Sequence, residues 1–144
     1  MIFIGRINEV KPGEYDETYA IVRSMKNPSP WMAQLVALSP SKALFFDYLS
    51  LKKAGTWNAD TFKERYVPMF MQEIAQPAPR KVLEQLVEYD RMGRKMALVC
   101  FCPDETLCHR SIVAGILQGM GADVRLRSGA DYSAYYERYK EMLP

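Results

Sequence analysis

The apolar positions fall into short runs and helix-spaced stripes, and the two alternate along the chain. Residues 1–4 form a short apolar run and read as a buried strand. Residues 19–22, aromatic and β-branched, read as a second strand. Ser39-Pro40 carries a helix-start signal, because Ser accepts from free backbone N–H groups and Pro is tolerated in the first turn. Leu44, Phe45, Tyr48, Leu49 and Lys52 follow at helical spacing, with Gly55 as the stop. A further helix is expected from Asn58 or Asp60. In it Phe62, Tyr66, Phe70 and Ile74 recur every four residues, and Pro68 is expected to kink or split the stripe. Residues 26–30 and 76–79, both containing two prolines, read as loops. Val82, Leu83, Leu86 and Val87 mark a third amphipathic helix that ends near Gly93.

Residues 95–101 give the clearest strand, nearly all apolar, as expected when both faces are covered. A polar loop over 103–106 follows, then a helix over 111–117, then a strand over 123–126. A strand–loop–helix–strand order of this kind predicts a parallel crossover. A last helix over 131–142 carries Tyr132, Tyr135, Tyr136 and Tyr139 at helical spacing, a stripe read as packing or as a stacking surface. The fold class expected is α/β: a single domain over 1–144, with a short, mainly parallel sheet flanked by helices on both faces.

Composition narrows the function classes. The chain has 144 residues, of which 49% are hydrophobic and 25% charged, the proportions of one ordinary globular domain. A formal net charge of +2 excludes a strongly basic nucleic-acid binder but leaves nucleic acid open through a local patch. No apolar run reaches the ~20 residues of a membrane span. Residues 1–5 lack the basic and long apolar regions of a signal peptide. Three cysteines, an odd number, make a poor disulfide framework and point to a reducing, cytoplasmic setting.

The cysteines and the single histidine converge on one place: Cys100, Cys102, Cys108 and His109. That place is the carboxyl end of the best strand and the start of the next helix, where open α/β sheets bind ligands. Free N–H groups and the helix dipole favour an anion there. Arg110 adds a bidentate grip on phosphate or carboxylate, and a cysteine in such a field gains thiolate character. Cys108, His109 and Arg110 are therefore the candidate catalytic residues. Arg23, Cys100, Cys102, Thr106 and Ser111 are candidate ligand contacts, and Trp31 and Trp57 stand near loops where they line a pocket or seal a core edge.

Plainer readings stand beside these. Cys100 in an apolar strand reads as core, and a helix-start residue reads as a cap. Cys-x-Cys with Cys-His supplies four ligands suited to tetrahedral zinc, but the spacing matches no standard finger or ribbon, so no metal and no cofactor is assigned. A Cys108–His109 dyad meets an objection, since neighbours on a helix diverge by about 100°. The chain has no phosphate-binding Gly-rich loop and no Gly-x-Ser-x-Gly elbow.

The stretch Leu98-Val99-Cys100-Phe101-Cys102, followed by Cys108-His109-Arg110-Ser111, resembles the Cys-His-Arg signature of domain-of-unknown-function family 488. That signature has an apolar strand ending in Cys, a seven-residue gap, and Cys-His-Arg opening a helix. Here the gap runs from Phe101 to Leu107, and Gly121-Ala122-Asp123-Val124 follows. Leu38-Ser39-Pro40-Ser41 and the Trp57, Phe62, Arg65-Tyr66 run are similar to segments of a shorter subgroup. Ile2-Phe3-Ile4-Gly5 and Val22-Arg23 are similar to the family's first strand and to the end of its second. Two positions depart: Ile21 stands where the family has Asp, and Cys102 where it has an acidic residue. The resemblance implies an α/β fold with a central sheet and brings no established reaction. The expected function is a binding site for an anionic small molecule or nucleotide at the strand–loop–helix junction, in a small enzyme. The alternatives are a nucleic-acid- or protein-binding module and a zinc or redox cysteine site.

Overall fold

A computed structural model describes residues 1–27 and 29–144, so Pro28, within the loop expected over 26–30, lies outside the described residues. Five strands form one sheet: β1 (Ile2–Arg6), β2 (Glu17–Ala20), β3 (Ala33–Gln34), β4 (Met96–Cys100) and β5 (Val124–Arg125). Their order is β3-β2-β4-β1-β5, and every pairing is parallel. β4 lies in the middle and is buried along its whole length, which is why its five residues are Met-Ala-Leu-Val-Cys. The α/β class and the parallel sheet are as expected from the pattern.

Helices α1 (Lys42–Lys53), α2 (Ala59–Thr61), α3 (Val67–Ile74), α4 (Pro77–Arg91), α5 (His109–Gly119) and α6 (Ala134–Met142) complete the structure. α5 packs on β1, β4 and β5, and contacts α3 and α6. Across the sheet, Phe3 stacks on Tyr15 at 5.8 Å. On that same side a Cβ added to Gly5 would meet Phe3 and Glu9, so the short 3-10 turn Ile7–Glu9 lies close against β1. No helix among the described residues is long and apolar enough to cross a membrane.

Several elements depart from the expected bounds for identifiable reasons. The cap of α1 is Ser41, not Ser39: its Oγ accepts from the Leu44 N–H at 3.1 Å. Pro40 holds Ser39 extended, and the buried Ser39 hydroxyl donates to the Val36 carbonyl instead. The proline pair at 76–79, expected as a loop, opens α4, because a first-turn proline loses no helical hydrogen bond. Pro68 falls where the expected helix divides, at the start of α3. Residues Phe62–Tyr66 form a π turn, Val67 donates five residues back to Phe62, and Pro68 follows in the first turn of α3. β2 begins two residues earlier than expected, and its ladder continues through the Ile21 N–H to the Val99 carbonyl at 2.9 Å. β3, two exposed residues long, carries no pattern to predict it.

The tyrosine helix is packed. A Cβ added to Gly115 would lie 2.0 Å from the Tyr132 carbonyl oxygen, and one added to Gly119 would lie 2.2 Å from Tyr136. The absence of a side chain at Gly115 and Gly119 is what lets Tyr132 and the start of α6 approach α5. Gly115→Ala tests this contact. Helix propensity alone would favour Ala by about 1 kcal/mol. The clash with fixed backbone is expected to reverse the sign and cost about 1–3 kcal/mol, seen as a lower urea midpoint. A G115A variant as stable as the parent would show that α6 yields freely.

Candidate functional site

The junction between β4 and α5 is built by its own sequence. Pro103 lacks a donor, and beyond it Asp104 accepts from the Thr106 N–H at 3.0 Å, starting the 3-10 turn Glu105–Leu107. Cys108 is then the N-cap of α5, with extended backbone (φ −124°, ψ 144°). A Ser or Asp there would turn its oxygen onto the helix's free N–H groups. The Cys108 side chain makes no cap hydrogen bond; its Sγ instead donates to Cys100 Sγ at 3.6 Å. The sulfur atoms of Cys100, Cys102 and Cys108 all lie within 4.8 Å of one another.

His109 is 4% exposed. Its Nε2 lies 2.7 Å from the Ile21 carbonyl oxygen, which only accepts, so Nε2 carries the proton in the neutral ring. Nδ1 is then the bare nitrogen, and it lies 3.7 Å from Cys108 Sγ. The objection to a Cys108–His109 pair is thereby removed. The divergence of about 100° applies between two helical residues, and Cys108 is not helical. Phe70 packs against the imidazole at 5.5 Å with its plane tilted by 64°.

Charge is shared unevenly among the thiols. Cys100 is held well below the usual thiol range by hydrogen bonds from Cys102 first and Cys108 second, against its burial. Cys102 is pushed up by its bond to Cys100, and Cys108 is pushed up by burial. The three therefore ionise as one unit. Tyr66, across the cavity, is also raised, by burial and then by the neighbouring sulfur.

These groups form the floor of a cavity of 630 Å³. Cys100, Cys102, Cys108 and His109 line it from the sheet side, together with Val22 and Arg23 leaving β2. The opposite wall is aromatic: Phe45, Phe46 and Tyr48 from α1, with Trp57 and Tyr66. Trp57 holds this wall together, with its ring edge-on to Tyr48 at 4.7 Å and to Tyr66 at 5.6 Å. Arg23, Lys42 and Lys52 are the cations on the lining, and no carboxylate lines it among the described residues. Phe46 and Phe101 are 54% and 49% exposed.

Of the residues singled out in the sequence, the structure brings Arg23, Cys100, Cys102, Cys108 and His109 to one cavity. Trp57 lines it too, whereas Trp31 packs against the core cluster. Arg110, Thr106 and Ser111 do not line it. The Arg110 guanidinium is buried and donates to the Cys102 carbonyl at 2.6 Å, so it braces the loop from beneath. Thr106 donates to Asp104, and Ser111 donates to the Cys108 carbonyl at 2.8 Å. Lys42, Lys52 and the α1 aromatics were missed. The available signal was the width of the α1 stripe, since Phe45, Phe46, Tyr48 and Leu49 span more than one helix face.

A parallel α/β sheet with a cysteine-histidine junction beyond its central strand defines the class of protein. The model of the active DUF488-N3 subclade, DUF488-N3a, matches residues 6–121, and the chain belongs to this family. No curated protein and no solved structure matches it.

Arg110→Met tests the brace. It removes the donor and leaves the Cys102 carbonyl unpaired, so stability is expected to fall by about 1.5–3 kcal/mol. Amide exchange in the loop over 102–107 should accelerate more than in β4. Equal stability with unchanged loop exchange would show that the bond holds nothing.

Proposed function

We propose that the cavity binds a small molecule carrying a flat ring and an anionic group, a mononucleotide being the type, and that the Cys108–His109 end acts on it, making the protein a small enzyme. The observation that carries this reading is the bare His109 Nδ1 beside Cys108 Sγ, at the floor of an aromatic-walled cavity whose charged lining residues, among those described, are all cations. Aromatic walls suit a ring, at about 1–3 kcal/mol per stacked base. Arg23, Lys42 and Lys52 suit phosphate or carboxylate. His109 is the group placed to take up or return a proton through Nδ1. Arg110 is a positioning residue in this reading, because it acts through the loop that carries Cys102. The designation of the subclade as the active one agrees with a chemical role. Residues 1–144 would form one domain, and three free thiols suit a reducing compartment such as the cytoplasm.

The packing of α6 on α5 argues against the binding-module alternative, since the tyrosine stripe is turned onto the protein's own glycines. Calorimetric titration tests the proposal with three probes: a nucleoside monophosphate, the nucleoside and inorganic phosphate. The monophosphate is expected to bind more tightly than either part. Trp57→Leu and Lys52→Ala are each expected to weaken it by about tenfold, equivalent to about 1.4 kcal/mol. Equal weak binding of all three probes, or unchanged affinity in both variants, would overturn the reading.

A further inference from the structure

We infer that Cys100, Cys102 and Cys108 form a zinc site whose fourth position opens into the cavity. Three sulfurs are delivered by three different pieces of backbone: a strand end, a loop and a helix cap. They form a triangle before any ion is added. Bonds of about 2.3 Å from each sulfur to one zinc ion at tetrahedral angles require sulfur separations near 3.8 Å. The Cys100–Cys108 separation is 3.6 Å, and all three sulfurs lie within 4.8 Å of one another, so closing on an ion needs only side-chain adjustment.

His109 stands beside this triangle and outside the group of mutually close ligand atoms. Three protein ligands and one open position are the arrangement of a reactive zinc site; a purely structural site closes all four. Because all three cysteines line the cavity, the open position faces the proposed ligand. Thiolates favour soft and borderline ions, and among these zinc is the one commonly held by three protein ligands with a fourth position open. Each cysteine binds as its thiolate, any proton still held on sulfur passing to solvent as the zinc–sulfur bond forms, and no electrons are exchanged. The product carries one net negative charge. The N-terminus of α5 and the guanidinium of Arg110, bonded to the Cys102 carbonyl, are placed to offset it. Standard ligand spacings miss the site, because a 3-10 turn folds the loop over 103–107 back so that Cys108 meets Cys100.

The inference rests on the ligand reading only for the use of the open position; the metal itself is measured without any ligand. The full chain, purified without chelator and loaded with zinc, is passed through gel filtration and its metal content determined. One zinc per chain is expected. Cobalt in its place should give thiolate-to-metal charge-transfer absorption and the bands of a tetrahedral ion. Cys102→Ser, at a half-buried position, is expected to keep the fold by circular dichroism. It should lower zinc affinity by more than about a hundredfold, beyond the 10–100-fold that outer-shell partners are worth. His109→Ala should still retain zinc. Failure of the wild-type chain to retain zinc, with three thiols open to alkylation, would overturn the inference. So would zinc held equally well by the folded C102S variant. Loss of monophosphate binding with zinc retained would remove the ligand reading alone.

Discussion

The site depends on one hydrogen bond, from His109 Nε2 to the carbonyl of Ile21. It joins the segment leaving β2 to the first residue of α5, two pieces 88 positions apart in the chain. Broken, it would leave a buried carbonyl and a buried ring nitrogen unpaired, at about 1–3 kcal/mol each. Made, it does three things together. It selects the tautomer with Nδ1 bare, and it turns that nitrogen toward Cys108. It also pins the exit of β2, so that Val22 and Arg23 run along the cavity edge. Phe70 holds the ring from the side. A histidine that is nearly inaccessible can therefore present one nitrogen to a cavity.

The same bond gives meaning to Ile21. The resemblance to the family leads one to expect an Asp at this position, whereas here the isoleucine side chain is wholly buried in the core. A backbone carbonyl accepts from the imidazole as well as a carboxylate does in geometry, but it carries no full charge. The orientation of His109 is secured without an added negative group beside three sulfurs. Cys102, the other departure, adds sulfur to the same cluster.

The central parts of this arrangement were legible in the sequence because each is local. The all-apolar run through Cys100 could only be a strand buried on both faces. The crowding of every cysteine and the one histidine between residues 100 and 109 pointed to the junction that the cavity opens on. What escaped was set by tertiary structure. Lys42 and Lys52 look like solvated helix charges until α1 is seen to wall a cavity. Arg110 has the right chemistry for an anion, but its side chain was taken up by the Cys102 carbonyl. The Cys108–His109 pair was underrated because helical geometry was assumed for a residue that is the cap. Sequence spacing reports what a residue is near along an element; it is silent on the one residue where the element has not yet begun.

The π turn at Phe62–Tyr66 has an evolutionary side. Such a turn holds one residue more than the α-helix around it, and one residue is worth about 100° of rotation. Phe62, which opens the turn, and Phe70 after it therefore owe their relative phase to a single extra position, with Tyr66 at the seam stacked between them. Gain or loss of that position would turn Phe62 relative to Phe70 around the helix axis, and would move Tyr66 and the Trp57 ring that rests on it. The shape of this cavity is thus open to remodelling in one step by a change of chain length, a route that substitutions on its lining cannot match.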